Sequence, residues 1–427
     1  MTTITSASVN KVSEMAENLV GSEILKIAGE VNEKIRNGEK IYNLTVGDFD
    51  PKIFPIPQLL CDEIVNAYRA GATNYPPSDG LPELRQEVTK FITAREGIEY
   101  APSEIVIACG ARPIIYAIFR TVVEKGDKVI FPVPSWNNNH YCHMSEAEKV
   151  EIVTTAENNF MPTAEEIRPH LKGATLLSLC SPLNPTGTVF TKEGLAEICD
   201  LVLAENASRD ADEKPLFVMY DQIYWSITME GTEHYNPVTL RPAMRNYTVF
   251  VDGISKCFAA TGLRVGWAIG PAYITHRMRA ILSHVGAWAP KAEQIATAKF
   301  LANDAEVDIY LHKIRADIKT RLTGLYDGFV RLKSQGLKVD AISPQGAIYL
   351  TVQFNLAGCT TPQGNILGNA RDVYKYILDE AKVAIVPFYA FGSDDDNSWY
   401  RISVGTLPVD QIENIITSIE SALQKLK

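Results

Sequence analysis

The chain has 427 residues, of which 46% are hydrophobic and 22% charged, and its formal net charge is -10 at pH 7. This length is enough for two domains with a large core, and the composition is that of an ordinary soluble globular protein. The negative charge argues against nucleic acid or an anionic membrane as a partner.

Seven cysteines are scattered along the chain without a CxxC pair or a His/Cys cluster at metal-ligand spacing. This pattern favours reduced thiols and predicts no metal site. Residues 1–10 are polar, so we expect no secretory signal, and no apolar run reaches transmembrane length. We therefore expect a cytoplasmic protein.

The N-terminal part begins with a predicted helix over residues 13–36 and a short apolar run over residues 41–46. Gly47 follows in a Gly-Asp sequence that, taken alone, indicates only a turn. A second helix is predicted near residues 57–70. Tyr75 comes next in a proline-rich loop, where a tyrosine is often simply packed.

Two buried strands are then followed by polar loops. The first ends at Gly110, after which Ala111, Arg112 and a proline begin a helix whose free N–H groups can bind an anion. The second leads to Trp136, which is flanked by a serine and three asparagines. A flat aromatic face in such a loop can stack on a ring, and the alternative is a core tryptophan.

Two further strands also end in polar residues. The strand over residues 175–180 leads into Ser-Pro-Leu-Asn-Pro-Thr-Gly, in which two prolines fix the backbone around Asn184. The strand over residues 216–220 leads into Asp221, with Tyr224 three positions later. For an aspartate at a strand end, a helix cap is a common alternative.

The strand over residues 247–251 leads to Ser255 and Lys256, at the position where loops of α/β proteins carry their chemistry. A desolvated lysine near other cations loses its proton and attacks carbonyl groups, although a lone lysine after a strand is usually a surface residue. The Ser255 hydroxyl and Arg264, which stands between two glycines, suit a phosphate. A lysine nucleophile beside a phosphate site points to pyridoxal 5′-phosphate (PLP).

Ser255-Lys256, five residues and then Gly-x-Arg264-x-Gly resemble the lysine motif of the class I/II aminotransferases, which are fold-type I PLP enzymes. The preceding segments resemble further motifs of this family in the family's order, with aspartate aminotransferase-like members as the nearest type. The elements that carry the resemblance are Gly47, Tyr75, Gly110, Trp136, Asn184, Asp221 and Tyr224.

The resemblance implies PLP as cofactor and assigns roles to these positions. Lys256 would bind PLP covalently and transfer protons, Asp221 would keep the pyridine nitrogen protonated, and Tyr224 would hydrogen-bond the phenolic oxygen O3′. The other implied cofactor contacts are Asn184 at O3′, Trp136 on the ring, and Gly110, Ala111, Arg112, Ser255, Arg264 and Tyr75 of the partner subunit at the phosphate.

The C-terminal third is predicted to contain a long helix over residues 291–334, a strand near Tyr349 and a helix over residues 370–382. Arg401 lies in a late strand, where a salt-bridged arginine would be the ordinary interpretation. The resemblance implies instead that its planar fork binds the substrate α-carboxylate. The Gly47 backbone, Trp136 and Asn184 would complete this substrate site.

Two features bear on substrate choice. Phe388 and Tyr389 replace a Pro-Gly pair that relatives typically have before the Phe-Gly of this loop, which puts the loop shape in question. A second arginine for a side-chain carboxylate is not assigned by the sequence. Its candidates are Arg112, Arg277 and Arg279.

The architecture implied by the resemblance is an α/β fold with two domains. A large domain over residues 51–290 would contain a mostly parallel seven-stranded sheet flanked by helices. Residues 1–50 and 291–427 would form a smaller α/β domain. The active site would lie between the domains of a homodimer, and we expect the domains to close on substrate.

We therefore predict a PLP-dependent aminotransferase that acts on an L-amino acid, with aspartate or aromatic residues favoured, and on a 2-oxo acid such as 2-oxoglutarate. A PLP lyase of the same fold, either β-eliminating or cyclopropane-forming, or a decarboxylase, would carry the same motifs and remains the alternative. A PLP-fold regulator would need a basic DNA-binding domain, for which the chain has neither length nor charge.

Overall fold

The computed structural model of the protein describes residues 12–427. The expectation that residues 1–10 carry no secretory signal therefore concerns a segment outside the described residues. Within the described range, none of the helices combines the length and the apolar composition needed to cross a bilayer.

The regular elements alternate between strand and helix over most of the chain. In the described residues the strands are β1 (Tyr42–Asn43), β2 (Ile105–Ala108), β3 (Lys128–Val133), β4 (Glu148–Val153), β5 (Ala174–Cys180), β6 (Phe217–Asp221), β7 (Thr248–Gly253), β8 (Gly266–Ile269), β9 (Val339–Ala341), β10 (Tyr349–Phe354), β11 (Val383–Ala384), β12 (Val386–Pro387) and β13 (Trp399–Ser403). The helices are α1 (Glu14–Glu17), α2 (Glu23–Arg36), α3 (Gln58–Arg69), α4 (Pro82–Glu96), α5 (Ala111–Val122), α6 (Asn138–Ser145), α7 (Ala164–Ile167), α8 (Lys192–Ser208), α9 (Pro237–Leu240), α10 (Ile254–Cys257), α11 (Ala272–Val285), α12 (Lys291–Leu301), α13 (Asp304–Ser334), α14 (Ala370–Tyr376) and α15 (Ile412–Leu423).

The larger sheet has seven strands in the order β2-β8-β7-β6-β5-β3-β4, and β8 alone runs antiparallel to its neighbours. Its strands are apolar on both faces because helices cover both sides. In β7, Phe250 packs into one core layer while Val249 and Val251 pack into the other. The predicted α/β fold with a mostly parallel seven-stranded sheet is confirmed.

A second, antiparallel sheet has four strands in the order β12-β13-β10-β9. Beside it, β1 and β11 form a short parallel pair in which Tyr42 is opposite Val383 and Asn43 is opposite Ala384. The segment before residue 50 is thus bonded to the C-terminal third of the chain. The division into residues 1–50, 51–290 and 291–427 stays a prediction.

Two predicted helices are each divided in the structure. The helix predicted over residues 13–36 is α1 followed by α2, with five non-helical residues between them. The helix predicted over residues 291–334 is α12 followed by α13. The division occurs at Asn303, whose side chain accepts a hydrogen bond from the Glu306 N–H and so caps a new helix.

Helix α13 packs against α15 at a position where only glycine fits. A Cβ at Gly328 would lie 2.5 Å from two side-chain carbons of Ile416, which is fully buried. At Gly29 in α2, a Cβ would meet nothing within 4 Å. A methyl group would therefore clash with Ile416 at Gly328 but would have free space at Gly29.

We expect Gly328→Ala to lower the free energy of unfolding by about 1–3 kcal/mol, because the added methyl group overpacks the α13–α15 contact. Gly29→Ala serves as the matched control and should raise it by about 0.5–1 kcal/mol, because alanine loses less backbone entropy on folding. Urea denaturation of both variants checks this expectation. Equal effects of the two substitutions would contradict the packing described here.

Candidate active site

The carboxyl ends of the parallel strands meet at one edge of the large sheet, where a cavity of about 480 Å³ opens. The loops that follow β2, β3, β5, β6 and β7 form its floor, and α2, β10 and β13 contribute the opposite wall. The predicted site residues that line it are Gly47, Ala111, Arg112, Trp136, Asn184, Asp221, Tyr224, Ser255, Lys256, Arg264 and Arg401.

Gly110 and Tyr75 are the predicted residues that do not line this cavity. Gly110 lies directly behind it, because a Cβ there would be 2.3 Å from Nη2 of Arg264. Its φ of +92° also favours glycine. Tyr75 lies on the surface with 79% of its area exposed, and its ring packs edge-on against Trp288.

Lys256 lies in the short helix α10, immediately after β7, and its Nζ donates a hydrogen bond of 2.6 Å to the carbonyl of Gly47. Burial lowers the pKa of Lys256 to about 8; the Asp48 carboxylate opposes this shift, and the arginines at positions 401, 112 and 264 add to it. About one amine in ten is therefore neutral at pH 7, far more than for an ordinary lysine, and this fraction can act as a nucleophile.

Asp221 ends β6, and its carboxylate faces the cavity, where it accepts a hydrogen bond from the Ile223 N–H at 3.1 Å. Burial raises the pKa of Asp221 to about 6, while the Ile223 N–H and the Lys256 charge favour the ionised form. Within residues 12–427 the side-chain hydrogen bond of this carboxylate comes from a backbone N–H and not from a cationic side chain. A protonated ring nitrogen would supply the missing cation.

A phosphate-sized anion site lies at the start of α5. The guanidinium of Arg264 is held by the carbonyls of Thr261 and Cys109, at 2.7 and 3.0 Å. The N–H groups of the first turn of α5, which begins at Ala111, and the hydroxyl of Ser255 border the same cavity. A helix N-terminus with an arginine and a hydroxyl suits a phosphate group.

Trp136 forms a side wall of the cavity, and the Arg112 guanidinium lies 4.7 Å from the centre of its ring. The loop that carries Trp136 is tied to β5, because Asn138 donates to the Ser135 hydroxyl and accepts from Ser178. The asparagine-rich sequence after Trp136 therefore fixes the loop in place and leaves the indole face beside the cavity.

Arg401 projects from β13 into the cavity and is 2% exposed. It donates to Oδ1 of Asn184 at 3.0 Å and to the carbonyl of Thr45 at 2.6 Å, and the rings of Tyr349 and Phe391 flank it. Its Nε has no partner among the described residues. Such a guanidinium is a ready site for a carboxylate.

Among the cavity residues that were not predicted from the sequence, Tyr349 and Asp48 place polar groups beside the predicted ones. Tyr349 hydrogen-bonds Tyr224, with their hydroxyl oxygens 2.6 Å apart. Asp48 accepts hydrogen bonds from the Thr261 hydroxyl at 2.5 Å and from its neighbour's backbone N–H. The sequence could have indicated both residues by their positions, since Asp48 directly follows Gly47 and Tyr349 lies in a predicted strand.

The three arginines considered for binding a substrate side-chain carboxylate differ in their distance from the cavity. Arg112 lines the cavity. Arg277 bonds the carbonyl of Tyr273 on α11, and Arg279 pairs with Asp79 at 3.2 Å, both away from the cavity. The structure therefore leaves Arg112 as the candidate within reach.

The loop at residues 388–391 affects the cavity only through its last aromatic ring. Phe388 is fully buried against Phe160, and Tyr389 packs beneath Arg371. Neither side chain lines the cavity, whereas Phe391 flanks Arg401 at 4.9 Å.

The chemistry of the cavity fits PLP: it contains a lysine with a lowered pKa, a carboxylate that has no ion-pair partner within the described part of the chain, and a site suited to a phosphate. This fold and this donor set define a PLP-dependent enzyme of fold type I. The family model described as aminotransferase class I and II matches residues 39–419. The chain belongs to this family and is a PLP-dependent aminotransferase, or transaminase.

Individual relatives agree with this assignment. The aspartate aminotransferase of Geobacillus stearothermophilus is 28% identical over 97% of this chain and 99% of its own length. The crystal structure of the aspartate aminotransferase from Rhizobium meliloti superposes with a TM-score of 0.88 at 26% identity, over 98% of this chain and 100% of that one. The structure of the aromatic aminotransferase from Pyrococcus horikoshii superposes with a TM-score of 0.81 at 26% identity, over 92% of this chain and 98% of that one. These matches favour the aminotransferase over the lyase alternative.

The lowered pKa of Lys256 predicts how cofactor attachment to the apoprotein depends on pH. We expect the rate to rise through a midpoint of about 8 and then level off, because the neutral amine is the attacking form. At pH 6 it should be roughly 100-fold below the plateau, since two pH units below its pKa about one amine in a hundred is neutral. Stopped-flow absorbance after mixing with PLP measures this rate.

Asp48→Asn should move this midpoint to lower pH, because the Asp48 carboxylate favours the charged amine. Asp62→Asn, which removes a carboxylate on α3 outside the cavity, is the control and should leave the midpoint unchanged. A midpoint near 10, the ordinary value for lysine, would contradict the desolvation of Lys256.

Proposed function

We propose that this aminotransferase transfers the amino group of L-aspartate or an aromatic L-amino acid to a 2-oxo acid such as 2-oxoglutarate. The observation that carries the proposal is that Lys256, Asp221 and Arg401 face one cavity. The names of the relatives support the choice of donors. The cavity offers an apolar wall from Ile24 and Ala28 of α2 and a cation at Arg112, which suits either class of side chain.

Bound PLP supplies a conjugated ring that stabilises negative charge developing at the substrate Cα. The Asp221 carboxylate would keep the ring nitrogen protonated, because a buried negative charge is stabilised by a positive charge beside it. Asn184 and Tyr224 would donate hydrogen bonds to O3′, and Trp136 would stack on the ring. The phosphate would be held by Arg264, Ser255, Gly110, Ala111 and Arg112.

Arg401 binds the substrate α-carboxylate through its guanidinium, assisted by the Asn184 amide and the Gly47 backbone. Its contacts to Thr45 and Asn184 fix the fork before substrate arrives, so little orientational entropy remains to be lost. With PLP bound, this anchoring would orient the substrate Cα–H bond perpendicular to the ring plane. This orientation favours removal of that proton over breakage of the other bonds at Cα.

Lys256 transfers the proton in this proposal. Lys256 would hold PLP through its Nζ, and as a free amine the same Nζ would accept the proton from the substrate Cα and release it again. Burial and the nearby arginines lower the pKa of Lys256 to about 8, so its amine is neutral, and able to accept a proton, in a larger share of molecules than an ordinary lysine. One side chain thus serves as base and then as acid.

The assembly that we propose is a homodimer in which Tyr75 of the partner subunit reaches the phosphate. The high exposure of Tyr75 and its location outside its own subunit's cavity support this assignment.

We place the protein in the cytoplasm, since all seven cysteines are free thiols. The proposed large domain is residues 51–290, which contain the seven-stranded sheet, and residues 1–50 and 291–427 form the smaller one, joined by the β1–β11 pair.

The activity is tested by the absorbance of the purified holoenzyme during addition of L-aspartate, L-glutamate and an aromatic amino acid in turn. We expect a donor to convert the absorbance to that of pyridoxamine 5′-phosphate, and 2-oxoglutarate to reverse the change. Lys256→Ala should show no absorbance from lysine-bound PLP and no conversion. Formation of the lysine-bound band without conversion by any donor would contradict the proposed donors.

Replacement of Arg401 by lysine tests the α-carboxylate site. Lysine keeps the charge but loses the bidentate fork, so kcat/KM should fall about 10–100-fold for every amino donor, through the loss of about 1.5–3 kcal/mol. The absorbance of the resting holoenzyme should not change. Arg277→Lys, on the surface of α11, is the matched control. An unchanged kcat/KM in Arg401→Lys would place carboxylate binding elsewhere.

A further inference from the structure

The hydroxyl groups of Tyr224 and Tyr349 form a buried pair, with their oxygens 2.6 Å apart. Tyr224 follows β6 of the seven-stranded sheet, and Tyr349 begins β10 of the four-stranded sheet. Both rings are buried, at 3% and 1% exposure. This hydrogen bond therefore connects the two sheets inside the cavity. Tyr349 has no role in the proposed function.

The direction of this hydrogen bond follows from counting protons. Each hydroxyl carries one proton, and one proton lies between the two oxygens. If Tyr224 donates to O3′, as in the proposed function on which this inference rests, its proton is not available for Tyr349. The proton between the oxygens must then come from Tyr349.

We propose that Tyr349 is a positioning residue that donates its hydroxyl proton to Tyr224 and thereby strengthens the hydrogen bond that Tyr224 makes to O3′. Successive hydrogen bonds polarise one another, so an oxygen that accepts a bond is a better donor through its own proton. The hydroxyl of Tyr349 does not need to touch the cofactor to have this effect.

The surroundings of Tyr349 hold its hydroxyl at this place. The guanidinium of Arg401 lies 4.6 Å from the centre of its ring and fixes the ring plane. On the other side, a Cβ at residue 47 would lie 2.6 Å from the Tyr349 oxygen, so this oxygen occupies the space that Gly47 leaves open. A side chain at position 47 would displace the hydroxyl from Tyr224.

Both hydroxyls of the pair stay protonated because the two rings are buried. Burial raises the pKa of Tyr224 and of Tyr349 above the ordinary value for tyrosine. The groups that face the pair from the adjoining segments are Arg401, Lys256, Asp48 and Cys180. Both tyrosines are therefore donors throughout the range in which the enzyme would be assayed.

The experiment is a pH titration of the absorbance of the resting holoenzyme in Tyr349→Phe, in Tyr224→Phe and in the double variant. A donor at O3′ favours its ionised form, so losing a donor should raise the midpoint. We expect a rise of about 1–2 pH units for Tyr224→Phe and a smaller one of about 0.2–0.5 for Tyr349→Phe. The double variant should match Tyr224→Phe alone, because Tyr349 acts through Tyr224.

Tyr400→Phe is the matched control, because it removes a buried tyrosine hydroxyl from β13, next to β10. That hydroxyl donates to the Ala370 carbonyl at 3.2 Å and does not line the cavity. It should lower thermal stability without moving the midpoint. Tyr349→Phe keeps the ring that packs on Arg401, so we expect the variant to fold and bind PLP.

The outcomes distinguish this inference from the proposed function. A raised midpoint in Tyr224→Phe with an unchanged one in Tyr349→Phe overturns the role of Tyr349 only, as does a double variant whose shift equals the sum of the two. An unchanged midpoint in Tyr224→Phe overturns both, because the bond of Tyr224 to O3′ is then absent. A shift in Tyr400→Phe as large as that in Tyr349→Phe would overturn the role of Tyr349, because any buried hydroxyl of the small sheet would then have the same effect.

Discussion

Arg401 keeps a positive charge at 2% exposure, and among the described residues its hydrogen-bond partners are neutral oxygens rather than a carboxylate. Burying one ion costs several kcal/mol in a folded protein, so this charge requires compensation. The Thr45 carbonyl, the Asn184 amide oxygen and two aromatic faces provide it. These partners come from the N-terminal segment, the loop after β5 and the small sheet, so the arginine can be accommodated only when all three are assembled.

The cavity is thus built from charges held in place before any ligand is present. Arg401 and Arg264 are positive, and Asp221 is a carboxylate without an ion-pair partner among residues 12–427. Lys256 lies in the same cavity with a pKa lowered to about 8. In a desolvated space such fixed charges interact more strongly than in water, and they need no reorganisation during the reaction. Because these charged side chains are needed together in one cavity, the protein buries them there although burying each charge costs free energy.

The large sheet and most of the site residues could be predicted from the sequence. Asp221, Asn184 and Lys256 each follow an apolar strand, and strand ends in a parallel sheet converge at one edge. The division of the helix at Asn303 was missed because helical periodicity continues across it, and the cap depends on one side-chain hydrogen bond. The Tyr224–Tyr349 pair could not be found because it joins two sheets whose packing is not encoded in either segment alone.

The order in which the strands occur along the chain has a consequence during synthesis. The seven strands of the large sheet are complete at Ile269, so this sheet can form while the remainder is still being translated. The pair of β1 with β11 and the placement of Arg401 on β13 require residues beyond 380. A nascent chain can therefore carry Lys256 and Asp221 on this sheet before the arginine that we assign to the substrate has been synthesised.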